Sequence, residues 1–175
     1  MLRSFHVLVS CLTLAGGLTA LVAVFGSEAQ AAEPIRIAVF EFELDDRSAG
    51  GSVVAPDAAD AEHLKLSTEE ARRLLTESGR YEIVDTGGAA EALRAAGGVR
   101  HCKGCEGALA GQLGAEQSLA GLLTRITRTE YTLQIVVRDT ATGAVLSNGF
   151  TGLRMGANYA WPRGTRWLVN KSVLD

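Results

Sequence analysis

Residues 131–139 alternate apolar and polar side chains, and this pattern constrains the fold more than any other part of the chain. The apolar members of the alternation are Leu133, Ile135 and Val137. Such a period of two predicts an antiparallel strand with one buried face. The sequence Asp-Thr-Ala-Thr-Gly over 139–143 then predicts a tight hairpin turn, with a return strand over 144–152. Because 118–127 is also strand-like, these segments together predict a three-strand antiparallel meander.

The upstream part of the chain mixes strands with helices. The predicted elements are a strand over 35–42, a helix from 57–60 to 78, a strand over 81–85, helices over 89–96 and 106–113, and a closing helix over 162–174. A capping box at Ser67–Glu70 would instead open a shorter first helix. Gly79 stands where a helix ends. The order predicts an α/β (α+β) fold, in which a single mixed β-sheet of about five strands carries packed helices and ends in the meander and a C-terminal helix.

The amino-terminal segment has the features of an export signal. No formally charged residue occurs over 4–27, and a small-x-small site follows at 29–31. Cleavage after Ala31 is predicted, which leaves a single α/β domain over 32–175. An uncleaved membrane anchor is the alternative, because the apolar run is long. Cys11 lies early in that run rather than after it, so it is interpreted as an apolar residue and not as a lipid attachment site.

The charge balance excludes one class of partner. The chain carries 17 Lys and Arg against 20 Asp and Glu, and its pI is near 5.7. There is no global basic field of the kind that nucleic-acid binding requires, so no nucleic-acid partner is expected.

Two cysteines stand close together in a glycine-containing loop. Cys102 and Cys105 have C-x-x-C spacing just before a predicted helix, which is the context of redox-active thiols. Covalent haem is excluded because Glu106, and not histidine, follows the second cysteine. Zinc would need four ligands, and His101 is the one further donor nearby. A structural disulfide is favoured, a redox pair and a metal site stay open, and no metal or cofactor is assigned.

Catalytic machinery is difficult to assemble from the remaining residues. After cleavage the histidines are His63 and His101, and the G-x-S-x-G motif of serine hydrolases does not occur. No catalytic residue is therefore predicted, and enzymatic activity is not expected.

The carboxy-terminal segment combines tryptophan with arginine. The candidate partner-binding residues are Arg154, Trp161, Arg163 and Arg166. Both residue types are enriched at interface hot spots. Large side chains are equally suited to anchor a helix on the sheet. For Trp167 the packing interpretation is favoured, and Trp161, beside Pro162, is expected to be the exposed tryptophan.

Several of these segments together resemble a known family. The chain contains IRIAVFEFEL, LTESGRYEIVD, the C-x-x-C, LGAEQSLAGLL, DTATG and the closing R-x-G-x(4)-W-x-R-G-x-R-W-L-V. This combination resembles the exported bacterial proteins of the domain of unknown function 2380. The broader architecture is similar to the amino-terminal domain of TolB and the periplasmic domain of CsgG. The resemblance implies a periplasmic interaction or assembly module.

Two functional hypotheses follow. The first is a periplasmic, non-enzymatic accessory or binding protein of an envelope system, with an envelope protein, a small ligand or a second copy as its partner. It would meet a membrane only through an uncleaved signal. The alternative is a periplasmic thiol–disulfide redox protein that uses Cys102 and Cys105.

Overall fold

A single mixed sheet organises the chain. The computed structural model describes residues 32–49, 58–154 and 160–175, and within these ranges six strands form the sheet. The predicted signal peptide and its cleavage site after Ala31 lie outside the described residues, as does most of the loop before the first helix. Among the described helices, none combines the length and the apolar character needed to span a membrane.

The order of the strands confirms the predicted mixed sheet. The strands are β1 (Ile35–Val39), β2 (Glu43–Asp46), β3 (Tyr81–Val84), β4 (Gln117–Arg125), β5 (Glu130–Asp139) and β6 (Val145–Arg154). They lie in the order β3-β1-β4-β5-β6, with β2 also paired to β4. The pairs β1–β3, β1–β4 and β2–β4 are parallel, whereas β4, β5 and β6 form the antiparallel meander.

The helices confirm the rest of the predicted order. They are α1 (Ala58–Glu77), α2 (Ala90–Ala95), α3 (Cys105–Gln112) and α4 (Ala160–Val169), and α4 continues as a π-helical segment over Asn170–Leu174. Gly79 follows α1 with a φ of +68°, which fits its predicted role at the end of the helix.

The sheet has six strands instead of about five because the strand predicted over 35–42 ends at Val39 and a further strand, β2, follows it. β2 ends at Asp46, so the prediction of a loop from Asp45 to Asp57 was wrong at its first two residues. Val39 of β1 pairs with Leu119, and Glu43 of β2 pairs with Leu122 further along the same strand. Three residues, 40–42, therefore stand opposite two residues of β4, which is a β-bulge. β1 and β2 therefore pair with successive parts of β4, and the bulge separates them.

Helix α1 supports this bulge with side-chain hydrogen bonds. The backbone N–H of Phe42 donates to Oγ1 of Thr68 at 2.9 Å, and the same hydroxyl donates to the carbonyl of Leu64 at 3.0 Å. Nη2 of Arg72 donates to the carbonyl of Val39 at 2.8 Å. These bonds satisfy backbone groups that the interrupted ladder leaves without strand partners. Thr68 lies inside α1, so the alternative capping-box start was wrong.

The two faces of the sheet bury different cores. Alternate residues of β1 point to opposite sides, with Ile37 and Val39 in the larger core and Ala38 in the smaller one. The larger core includes residues of α1 and α4, and the smaller one includes Ala89 and Ala110 beside α2 and α3. Helices α1 and α4 therefore cover one face, and α2 and α3 cover part of the other.

Candidate interaction surface and cysteine loop

Helix α4 buries Trp161 and exposes Trp167, so the expectation for the two tryptophans was wrong. Trp161 is 3% exposed and Trp167 is 48% exposed. Six residues advance a helix by about 240° beyond whole turns, so both rings cannot face the sheet. Thr165 and Leu168 are buried and lie four and seven residues after Trp161, on the same helix face.

Trp161 is held in a buried cluster of rings and charges. Its ring centroid lies 5.3 Å from that of Tyr131 and 5.6 Å from that of His63. The Tyr131 hydroxyl accepts a hydrogen bond from Nε of Arg125 at 3.0 Å, and Nη2 of Arg125 donates to both carboxylate oxygens of Asp60 at 2.6 Å. Burial alone would lower the pKa of Arg125, but its hydrogen bonds, that to Asp60 foremost, raise the pKa. The surroundings of Trp161 give it a packing role.

The outer face of α4 carries an exposed tryptophan among cations. Nζ of Lys171 lies 4.7 Å from the centroid of the Trp167 ring, a cation–π contact. Arg163 is exposed, and no ion pair joins it to any other described residue. Nε of Arg166 lies 2.5 Å from Oε1 of Glu70 on α1. Hydrogen bonds from Arg73 and Arg166 lower the pKa of Glu70, so this carboxylate stays charged and anchors Arg166.

Arg154 is the last residue of β6. The preceding residue, Leu153, packs so closely over Gly164 of α4 that a side chain at position 164 would overlap it. Arg154 is exposed, and because successive residues of a strand point to opposite sides of the sheet, its side chain lies on the face opposite to Leu153 and α4. We call the set of Arg163, Arg166, Trp167 and Lys171 the α4 surface. Two of the four predicted partner-binding residues, Arg163 and Arg166, belong to it, whereas Arg154 does not, and Trp167 replaces Trp161.

The cysteine loop leads into α3. Cys102 and Cys105 form a disulfide with their Cα atoms 5.2 Å apart. Lys103 and Gly104 between them have φ values of +53° and +97°. Two successive left-handed residues turn the chain sharply, and glycine adopts this conformation without strain. Gly104 is the N-cap of α3 and Cys105 is its first residue.

A buried carboxylate lies directly under the disulfide. Glu106 is 3% exposed, and its Oε1 accepts a hydrogen bond from Nε of Arg138 at 2.8 Å. Its Oε2 lies 3.4 Å from Sγ of Cys102. The sulfur atoms of Cys102 and Cys105 and a carboxylate oxygen of Glu106 lie within 4.8 Å of one another, but the disulfide engages both sulfurs. His101, the ligand that the sequence suggested, is not in this group.

A crevice opens beside the bulge, where none of the predicted site residues lies. Its volume is about 570 Å³, and its lining includes Phe40, Phe42 and Leu93 together with Arg94 and Arg100. It lies at the carboxyl end of β1, an edge where α/β folds often bind ligands. The sequence does not predict this crevice, because residues 40–42 of the bulge form part of its wall.

The family comparison agrees with the resemblance seen in the sequence. The model of the family described as "Protein of unknown function (DUF2380)" matches residues 35–173. The chain belongs to this family. The expected family is thereby confirmed. Among curated proteins, no relative was found.

Solved structures with a similar arrangement are distant in sequence. The LpoB C-terminal domain from Salmonella enterica shares 16% identity and a TM-score of 0.47, covering 73% of this chain and 87% of its own. Lipoprotein GNA1162 from Neisseria meningitidis shares 18% identity and a TM-score of 0.48, with 71% and 84% covered. The PelC dodecamer from Paraburkholderia phytofirmans shares 18% identity and a TM-score of 0.43, with 81% and 86% covered.

Proposed function

We propose that this member of the family is an exported accessory domain of the bacterial envelope, which binds a partner protein through the α4 surface. The observation that carries the proposal is the half-exposed ring of Trp167 beside Lys171. The export pattern of the amino-terminal sequence supports a periplasmic location for the folded domain.

The chemistry of the α4 surface favours an acidic protein patch as its partner. Trp167 exposes a large apolar ring to solvent, and burial of that ring against a partner is favourable. Tryptophan and arginine dominate the binding energy of many interfaces. Arg163, four residues before Trp167, and Lys171, four residues after it, are both exposed. Cations at the edge of an interface speed association with an acidic partner and select against basic ones. Binding should therefore weaken as salt concentration rises.

Site-specific photocrosslinking in living cells tests this proposal. A photoreactive amino acid is placed at position 167, and a control is placed at Ala141 in the exposed hairpin turn. We expect one discrete crosslinked product from position 167 and none from position 141. A product with the mass of two chains would identify a second copy as the partner.

Charge-reversal variants distinguish specific docking from nonspecific association. Arg163→Glu should abolish the product formed from position 167, whereas Arg128→Glu, an exposed arginine between β4 and β5, should leave it unchanged. Equal crosslinking in both variants, or no product at position 167, would contradict the proposal.

A further inference from the structure

We propose that Cys102 and Cys105 form a thiol–disulfide exchange site in which Glu106 is the proton acceptor and a dithiol or disulfide of a partner protein is the substrate. The site lies on α3, which packs on β4 and α2, whereas the α4 surface belongs to a helix packed on α1, β5 and β6. The inference therefore concerns a second activity.

The position of the Glu106 carboxylate is the first argument. Arg138 binds one of its oxygens, and the other faces Sγ of Cys102 at 3.4 Å. In the disulfide this sulfur carries no hydrogen, so it cannot donate to the buried oxygen. Reduction gives Cys102 an S–H group that can donate a hydrogen bond to Oε2 of Glu106. A buried carboxylate is stabilised by each hydrogen bond that it accepts. Glu106 therefore stabilises the reduced dithiol relative to the disulfide.

The two cysteines have different electrostatic surroundings, which is the second argument. Cys105 is the first residue of α3, and no side chain caps that helix end. The positive end of the helix dipole stabilises a thiolate there. Cys102 lies beside a carboxylate, which favours its protonated thiol. Cys105 is therefore the nucleophile, and Cys102 is the resolving cysteine.

Nearby cations favour a thiolate in this loop. The guanidinium of Arg138 lies against Gly104, where a Cβ atom would be 3.3 Å from Cζ. Lys103 between the two cysteines is exposed. The disulfide also closes a loop with a sequence separation of only 3, so it removes little chain entropy. A disulfide at this spacing therefore adds little to the stability of the fold.

The exchange reaction balances without a cofactor. A thiolate of the partner dithiol attacks Sγ of Cys105 and forms an intermolecular disulfide. The Cys102–Cys105 bond breaks, and its electron pair stays on Cys102, which takes up a proton and donates the new S–H to Glu106. The second partner thiolate then attacks the partner sulfur of the mixed disulfide, and Cys105 leaves as a thiolate that is protonated by solvent. Two electrons pass from the partner to this chain, the partner thiols lose two protons to solvent and the two cysteines take up two from it, and the reverse reaction oxidises the pair.

In the reverse direction the role of Glu106 is explicit. The Cys105 thiolate attacks one sulfur of a partner disulfide and forms the mixed disulfide, and the other partner sulfur leaves as a thiolate that solvent protonates. Oε2 of Glu106 accepts the proton of the Cys102 thiol, which attacks Sγ of Cys105 and releases the partner. This sequence predicts that the two single-cysteine variants behave differently.

Rates of reaction with oxidised glutathione test the assignment. The chain over 32–175 is prepared as Cys102→Ser, which keeps Cys105, and as Cys105→Ser, which keeps Cys102. We expect mixed-disulfide formation, followed by mass spectrometry, to be at least about tenfold faster for Cys102→Ser at neutral pH. Equal rates, or faster reaction of Cys105→Ser, would overturn the assignment.

A second measurement tests Glu106. Dithiothreitol should reduce the native disulfide of the wild type, and Glu106→Gln should require a more reducing glutathione buffer for half reduction. Glu91→Gln, an exposed glutamate of α2, is the control and should behave as the wild type does. Because Glu106→Gln removes one member of a buried ion pair, its fold is checked by circular dichroism. The single-cysteine comparison keeps Glu106 and stays decisive if that variant unfolds.

Two results would contradict the exchange proposal and indicate a different role for the two cysteines. A disulfide that dithiothreitol reduces only after the chain is unfolded would mark a structural bond. One equivalent of zinc bound to the reduced chain would mark a metal site. Trp167→Ala should leave all exchange rates unchanged, so failure of the docking proposal and failure of this one are distinguishable.

Discussion

The ring of Trp161 lies against that of Tyr131, with the centroids 5.3 Å apart and the planes inclined by 58°. Both residues are almost fully buried, at 3% and 4% exposure. A tilted pair at this distance is a favourable aromatic geometry. The contact joins α4 to β5, so it fastens the carboxy-terminal helix to the centre of the meander.

Trp161→Ala should therefore destabilise the domain strongly. Loss of a buried tryptophan costs about 3–5 kcal/mol, a large part of the stability of an ordinary domain. Trp167→Ala is the matched control, and an exposed substitution of this kind changes stability by about 0.5 kcal/mol or less. Urea unfolding of both variants gives the comparison. Equal losses would mean that the burial of the two rings has been wrongly assigned.

The tryptophan assignment could have been made from the sequence. Trp161, Thr165, Leu168 and Val169 follow the spacing of one helix face, and Trp167 does not belong to that series. The prediction failed because it judged each tryptophan by its neighbours in sequence. The helical period was the decisive signal.

Other features depend on contacts that sequence reasoning cannot see. The alternation over β5 was predictable because its period of two is local and uninterrupted. The bulge over 40–42 was not, since Thr68 supports it from 26 positions away from Phe42. The cysteine spacing was visible, but the pairing of Glu106 with Arg138, 32 positions apart, appears only in the folded chain.

Gly121→Ala should destabilise the sheet at the bulge. A Cβ atom at this position would lie 2.5 Å from atoms of the Phe42 ring, and that ring is 3% exposed and enclosed by the larger core. Overpacking of this kind costs about 1–3 kcal/mol. Gly152→Ala on β6 is the control, because nothing lies within 4 Å of its added Cβ. If chemical denaturation gave the same midpoint for both variants, the close approach of Phe42 to Gly121 would be disproved.

Stability should also fall in acid as Asp46 is protonated. Its Oδ1 accepts hydrogen bonds from the Ser48 hydroxyl at 2.6 Å and from the Ser48 backbone N–H at 3.0 Å, and Nη1 of Arg125 donates to Oδ2 at 2.6 Å. These bonds, that from the Ser48 hydroxyl foremost, lower the pKa of Asp46 below its usual 3.8. A lowered pKa in the folded state adds stability above pH 3.8, and that contribution is lost as the pH falls through the folded value.

The difference in unfolding free energy between wild type and Asp46→Asn is the measurement for this effect. It should be constant from pH 7 to pH 5 and should shrink as the pH falls below about 3.8, since protonated aspartic acid and asparagine then carry the same charge. Glu91→Gln on α2 serves as the control. A difference that stayed constant down to pH 2 would rule out Asp46 as the titrating group.

The exported protein should begin at Ala32 or within two residues of it. The site over 29–31 follows an uncharged apolar run, as signal peptidase requires. Amino-terminal sequencing of protein recovered from the periplasm checks this, with the cytoplasmic precursor as the control. An intact Met1 on the periplasmic protein, or a lipid on Cys11, would contradict it.

The double variant Cys102→Ser, Cys105→Ser should fold and yet lack thiol–disulfide exchange. A disulfide closing so short a loop contributes about 2 kcal/mol or less, which corresponds to a fall in melting temperature of about 8 °C or less for a domain of this size. Ala110 of α3 is fully buried in the smaller core and keeps the helix on the sheet without the bond. Hydrogen exchange should show faster exchange over 97–106 and unchanged protection in β4. A chain that failed to fold would show that the disulfide is required for the structure, because α3 would then depend on it for its place on the sheet.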